Sequence, residues 1–215
     1  MAGILKVDRI QSDSNLAFNI AGSNVAFMNA TSLQIAGSNV SLAGTNVFTS
    51  GKLVTSAQPT GAVLQVVQAT LLGTQAVSGA SAWADVTSLS VSITPTSSSS
   101  KILVSFAVNC DGETNLLFRI VRGATAIGVG NADGSRQQVS AANGYVPTNT
   151  SGTTMVTNQF LDSPATTSST TYKIQAYAND SAGSGTYYIN YASGDGNNAY
   201  NSRCMSSITV MEIAA

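Results

Sequence analysis

Residues 18 to 27 read FNIAGSNVAF and residues 33 to 42 read LQIAGSNVSL, a repeat at a 15-residue offset. The alignment sets Phe18 against Leu33, Ile20 against Ile35, Val25 against Val40 and Phe27 against Leu42. A shorter echo, AGTNV, follows over residues 43 to 47. In each unit apolar and polar residues alternate, the period that places side chains on one face of a strand. The Gly-Ser-Asn step between them is a turn signal, because Gly and Asn accept positive φ at little steric cost. No residue from Ser14 to Gly51 is charged. A two-stranded unit with so few apolar side chains cannot stand alone in water. It needs stacked neighbours, or copies supplied by other chains. The stretch is therefore expected to form a β-structured stalk wound from several identical chains, with these eight apolar residues as its core. A flexible Gly/Ser/Asn linker is the competing reading, but a linker has no reason to keep apolar positions in register.

Composition extends the β expectation to the whole chain. Only 9% of the 215 residues are charged and 43% are hydrophobic, against about 25% charged in an ordinary soluble protein. The balance is Ser, Thr, Asn, Gly and Ala, which favours strands and turns over helices. Nine basic and ten acidic residues leave a net charge of −1 with no run of either sign. A nucleic-acid partner is excluded, since nothing supplies a field to neutralise phosphates. Membrane insertion is not expected, since no 18-residue apolar run is present. The opening MAGILKVDRIQSDSN lacks the basic-then-apolar layout of a secretory signal.

Three regions follow. In residues 1–15 the charges Lys6, Asp8, Arg9 and Asp13 are interleaved with Ile4, Leu5, Val7 and Ile10, which reads as a short amphipathic strand. Ile4, Leu5, Lys6, Val7, Asp8 and Arg9 suit attachment to a scaffold; a frayed terminus accounts for them equally well. Residues 16–60 are the stalk, neck and linker, ending at the punctuation of Gly51, Pro59 and Gly61. Residues 61–215 are the head.

Within the head, strand patterns recur between turn signals, as in all-β sandwiches and barrels. They are expected at residues 62–70, 86–94, 101–109, 114–121, 126–129, 153–161, 171–178, 185–191 and 206–213. KILVSFAVN (101–109) is almost continuously apolar and should be central and buried on both faces. Two long polar segments, 130–152 and 192–203, read as loops that are functional or mobile. Trp83 and Asp85 should precede the second strand, with Trp83 as a packing anchor. Arg119, Arg122 and Lys173 fall within strands, where pairing across subunits is plausible.

Catalysis finds little support, and no cofactor is expected. The chain has no His, which removes Ser-His-Asp and Cys-His mechanisms and the commonest metal ligand. Asp111 and Glu113 lie two apart at an expected turn; as a glycosidase pair they would need a cleft and a fixed separation, as a solvated turn nothing. Asp133 in NADGS, and Asp195, Asn197 and Asn198 in GDGNN, offer too few oxygens for calcium and suit Asx turns better. No metal is expected. Cys110 and Cys204 fit no zinc or CxxC spacing, and two reduced thiols are favoured over a disulfide.

Tyrosines carry the binding candidates. Tyr187 and Tyr188 must face opposite sides of one strand, so at least one belongs to the core. Tyr145, Tyr191 and Tyr200, with Asp195, Asn197 and Asn198, form a candidate glycan surface, in which flat rings stand beside hydrogen-bonding groups. The same rings would equally fill a core or a subunit interface, and that use is favoured.

Two resemblances add to this. AGILKVDRIQSDSN followed by AGSNV units resembles the N-terminal regions of tail-fibre and other structural proteins of tailed bacteriophages, over about the first quarter of the chain. The 15-residue period also resembles the triple β-spiral of viral fibre shafts, although two full copies and one partial copy suit a short collar rather than a long shaft. In the head, KILVSFAVN (101–109), TTYKIQAYAN (170–179) and SSITVMEIAA (206–215) are similar in plan to the trimeric jelly-roll heads of phage fibres and the C1q/tumour-necrosis-factor group. The resemblance implies a homotrimer standing on a virion and assembled in host cytoplasm. Its partners would be other virion proteins, a tail adaptor or the capsid, and a host-surface glycan.

The expectation is thus an all-β chain: a short β-repeat stalk, then a jelly-roll β-sandwich, in an intertwined homotrimer. Its function would be that of a tail fibre or spike displaying an adhesive head. A capsid-decorating or head-fibre protein is the alternative within that class, and a soluble carbohydrate-binding module the alternative outside it. An enzyme such as a polysaccharide depolymerase is not expected.

Overall fold

The computed structural model describes residues 39–42, 45–49, 52–53, 58–78, 82–111, 115–143, 152–178 and 186–215. The attachment residues Ile4 to Arg9, the stalk positions Phe18, Ile20, Val25, Phe27, Leu33 and Ile35, and Tyr145 lie outside them. Val40 and Leu42 fall in β1 (Asn39–Leu42), which pairs antiparallel with β2 (Thr45–Thr49); β3 (Lys52–Leu53) completes a small sheet.

The head strands are β4 (Val63–Leu71), β5 (Gln75–Ser78), β6 (Trp83–Ile93), β7 (Lys101–Asp111), β8 (Leu116–Arg122), β9 (Thr125–Ile127), β10 (Ala141–Ala142), β11 (Thr153–Asp162), β12 (Thr170–Ala178), β13 (Thr186–Ile189) and β14 (Ser206–Ile213). They form two antiparallel sheets. In the first, β4, β14 and β7 are neighbours, β11 lies on the other edge of β7, and β13 leads from β7 to β5. In the second, β10, β8, β12 and β6 are neighbours, with β9 on β8. Let β9 and β10 count as one strand and set aside the short β5 and β13. The first sheet then runs first, eighth, third, sixth in chain order, and the second runs second, seventh, fourth, fifth. That order is a jelly roll. No helix occurs among the described residues.

Strict alternation builds the core. Ile102, Val104, Phe106, Val108 and Cys110 point inward from β7, Ile174, Ala176 and Ala178 from β12, and Ile208 and Val210 from β14. The Phe106 and Phe118 rings meet 6.5 Å apart.

Several expectations need correction. β7 is central, but from Lys101 to Cys110 only its even-numbered residues are buried; Leu103, Ser105 and Ala107 face outward and are half-buried. A sheet in a two-layer sandwich has one core face, and among the described residues nothing covers the apolar part of its outward face. Trp83 and Asp85 lie inside β6, not before it. β6 bulges between Asp85 and Ser90, since Gln175 pairs with Asp85 while Lys173 pairs with Ser90. Gln75 of β5, a strand too short and polar to be expected, closes that bulge: its Oε1 accepts the Thr87 N–H at 2.7 Å and its Nε2 donates to Asp85 O at 3.2 Å.

The 130–152 segment is no featureless loop. β10 lies in it, and the buried Asn143 accepts the Leu116 N–H through Oδ1 at 2.5 Å and donates to Asp111 O at 3.0 Å. Asp111 itself ends β7 and is 1% exposed, so it is not a solvated turn residue. The strand charges pair within the chain. Arg122 Nη1 reaches both oxygens of Asp162 at 2.9 Å, Lys173 Nζ meets Asp85 Oδ2 at 2.8 Å, and Arg119 binds Gln175. Both thiols are free, and burial, with Asp111 adding to it, pushes Cys110 up to about 12.

Candidate functional site

β13 ends at Ile189, and the chain turns there on Asn190, whose φ of 69° is of the kind Asn accepts. Asn190 is fully buried and joins three strand ends. Its Nδ2 donates to Leu71 O at 2.8 Å and Gly73 O at 2.7 Å, its N–H to Asn109 O at 2.8 Å, and its Oδ1 accepts from Ser206 Oγ at 2.6 Å. This anchor sets the start of the loop bearing most of the tyrosine candidates.

In that loop Tyr191 is half-buried. Its ring meets Tyr188 edge-on at 4.7 Å, and the Arg203 guanidinium stands 5.7 Å from its centre. Arg203 also pairs with Asp195. Burial raises the Tyr191 pKa, helped by Tyr188 and Asp195 and opposed by Arg203. Asn201 Nδ2 donates to Gly194 O at 2.7 Å and Gly196 O at 2.8 Å, tying the loop to itself. Asn197 and Asn198 are exposed, as is Tyr200 at 74%. Tyr187 is core at 1%. The loop thus brings together Tyr191, Asp195 and Arg203, but Asp195 is engaged by a cation. Among the described residues no three His, Cys, Asp or Glu side chains gather as metal ligands would.

A second surface is the outward face of the first sheet. In register across four strands stand Val66, Met211, Leu103 and Leu161. Val66 is 55% and Leu161 53% exposed. Beside this row Val63 pairs with Ile213, and Ile213 with Lys101. The next row along is Gln68, Thr209, Ser105 and Gln159, and the one beyond is Thr70, Ser207, Ala107 and Thr157. The face therefore changes from apolar to polar along the strands. Its apolar end is where the N-terminal segment reaches the head, fixed by Gly61 N–H to Ala214 O at 2.8 Å and Ala214 N–H to Ala62 O at 2.9 Å.

No protein-family model matches the chain, and no curated protein matches it. Among solved structures, one of infectious bursal disease virus, Gx strain, aligns with 71% of this chain at 11% identity and a TM-score of 0.33. The chain spans 39% of that viral chain. The likeness is too slight to argue from.

Buried polar groups complete the picture at the same end. Glu212 is fully buried on β14; Gln65 Nε2 reaches its Oε2 at 2.6 Å, and Thr96 donates to Oε1 through N–H and Oγ1, each at 2.7 Å. Burial opposes the charge, but these donors hold the carboxyl below its ordinary value. On the second sheet Trp83, Tyr177 and Arg119 gather outward, the guanidinium 4.1 Å over the Trp83 ring. Trp83, expected as a packing anchor, thus stacks with Tyr177 and Arg119, and Tyr177 is a site residue absent from the sequence expectation. The signal was there: in TYKIQAYA, Tyr177 shares the outward register of Lys173 and Gln175.

Proposed function

We propose that this chain is a virion structural protein, a homotrimeric fibre or spike that carries a jelly-roll head for adhesion to host-surface glycans. The observation that carries the reading is the row of Val66, Met211, Leu103 and Leu161 on a sheet face that no other described residue covers. Monomers seldom leave an apolar strip of this kind in water. Among the described outward rows of this face Lys101 is the one charge, and its Nζ donates to Ser163 Oγ at 2.8 Å, so a matching apolar strip of another copy can close over the row with that ion left at its margin. The strip lies at the end where the stalk residues arrive, so chains wound together below would present these strips to one another above.

The number three comes from the resemblance of the strand plan to trimeric heads. A charge-poor surface of hydroxyls and amides suits a rigid particle component, and residues Ile4 to Arg9 are the proposed point of attachment. The chain has no proposed catalytic role.

Light scattering on the full chain tests the reading. A mass of three chains that persists on dilution is expected. A monomer at every concentration overturns it.

A further inference from the structure

On the outward face of the second sheet, Tyr177 stands in register between Trp83 of β6 and Leu117 of β8. The Trp83 and Tyr177 rings lie 5.3 Å apart at 48°. Beside them runs a belt of hydrogen bonds. Arg119 gives Nε and Nη2 to Gln175 Oε1 at 2.9 and 2.6 Å, Gln175 Nε2 donates to Asp85 Oδ1 at 2.8 Å, and Lys173 holds the other oxygen of Asp85. The Lys173 hydrogen bond, with help from Gln175, keeps the Asp85 carboxyl below its ordinary value against the opposing effect of burial. A platform locked in this way holds its rings in one place.

Over the Leu117 end of this row folds the segment after β9. Gly130 N–H donates to Val139 O at 3.2 Å, Gln138 Nε2 to Gly130 O at 2.8 Å, and Arg136 N–H to Asp133 O at 3.1 Å. The loop is therefore closed by its own bonds. Ser135, Arg136, Gln137 and Val139 form its wall, Leu117 and Tyr177 the floor, and the cleft between them measures about 450 Å³. That volume falls within the usual range for small-ligand sites.

We propose that this cleft binds a saccharide bearing a carboxylate, a uronate, with Tyr177 stacking under the sugar ring and Arg136 meeting the acid group. An aromatic face takes the apolar C–H side of a sugar, and the Gln137 amide offers both a donor and an acceptor for hydroxyls. Arg136 is the one charged residue among the six that line the cleft. It pairs with Asp133 through Nη1 at 2.6 Å, but both side chains are more than 70% exposed. An exposed pair of this kind is weak and yields to a ligand carboxylate that takes two parallel N–H bonds. The inference rests on the adhesion reading only for the source of the sugar, a cell surface. It also suits the proposed assembly, because the second sheet faces away from the apolar strip.

Trp83 is the only tryptophan in the chain, so its emission reports on the neighbouring Tyr177. The full chain is titrated with galacturonate oligomers and, in parallel, with malto-oligosaccharides. A saturable change with galacturonate oligomers is expected, weakened about tenfold or more by Arg136→Ala, and abolished by Tyr177→Ala but kept by Tyr177→Phe. Arg136 and Gln137 are exposed, so their alanine variants should melt like wild type. No response to galacturonate oligomers, an equal response to malto-oligosaccharides, or wild-type binding by both Arg136→Ala and Gln137→Ala overturns the proposal. The solution mass of the same sample separates the two readings. A three-chain mass without uronate binding overturns the cleft alone, and uronate binding by a monomer overturns the trimer alone.

Discussion

The Tyr172 hydroxyl donates to Asp162 Oδ2 at 2.7 Å, joining β12 of one sheet to the end of β11 in the other. Arg122 Nη1 holds both oxygens of the same carboxylate. The three groups form a polar clasp at the edge of the sandwich, with Tyr172 and Asp162 buried and Arg122 partly exposed. Tyr172→Phe removes one hydrogen bond and leaves Asp162 paired, so a loss of about 1–2 kcal/mol is expected. Asp162→Ala strands both partners, and about 2–4 kcal/mol is expected after allowing for the partial exposure of Arg122. Urea unfolding of the two variants measures the order.

The same clasp makes the head sensitive to alkali. Burial, and then the Asp162 carboxylate, raise the Tyr172 pKa well above its ordinary value of 10.0. A raised folded pKa means the unfolded chain loses this proton first. Stability from the group is complete below about pH 10 and falls as pH climbs beyond it. Thermal midpoints of wild type should drop more steeply above that pH than those of Tyr172→Phe.

Glu212 acts in the opposite direction. Its carboxyl sits below the ordinary glutamate value of 4.5, because Gln65 and Thr96 donate to it and outweigh the cost of burial. Its contribution is present above that value and lost as pH falls through it toward the lower folded value. Glu212→Gln should cost about 1–3 kcal/mol near neutrality. The gap from wild type should narrow at pH 3. A constant gap across the range would show that the charge plays no part.

At Asn190 one residue meets a backbone demand and three side-chain demands. Asn190→Ala leaves Leu71 O, Gly73 O and Ser206 Oγ without this partner and must still hold φ near 69°. About 2–4 kcal/mol is expected. Asn190→Gly eases the backbone and recovers only part of the loss, which denaturant curves of the two variants will resolve.

Gly128 has φ of 59°, and a Cβ there would lie 2.7 Å from Phe160 Cγ. Gly128→Ala must both strain the backbone and push Phe160 aside, at about 1–3 kcal/mol. Gly123 has the same φ and open space around it. Gly123→Ala should cost less, and comparing their melting temperatures isolates the steric part.

The apolar strip makes a prediction of its own. Val66 and Leu161 face away from the core and are more than half exposed, so Val66→Lys or Leu161→Lys should leave the head folded. A charge between copies should lower the solution mass from three chains toward one. Near-UV circular dichroism checks the fold, and an unchanged mass in both variants would place the contact elsewhere.

Local pattern carried much of the architecture. The runs at 101–109, 171–178 and 206–213 became β7, β12 and β14, but the burial on both faces expected of 101–109 gave way to one core face, as a two-layer sandwich requires. In β6 the pattern breaks parity: Val86 is even, while Leu89, Val91 and Ile93 are odd, yet all four are buried. The sequence holds that break, but its resolution by a bulge needs Gln75, ten residues from Asp85 and on another strand. For the same reason Trp83 and Asp85 lie within β6 and not ahead of it.

The candidate site was less legible. A tyrosine near Asn and Asp drew attention to residues 191–200, where the structure engages Asp195 with Arg203. Tyr177 drew none, because its partners Trp83 and Leu117 come from strands distant in sequence.

By itself the sequence determined most of the long strands and the all-β class, since these follow from side-chain alternation and turn residues a few positions apart. Tertiary structure alone decided which strands are neighbours, and hence that Val66, Met211, Leu103 and Leu161 form one strip and that Tyr177 floors a cleft. Register between strands is a long-range choice, made by packing two sheets on one core, and no local stretch of chain encodes it.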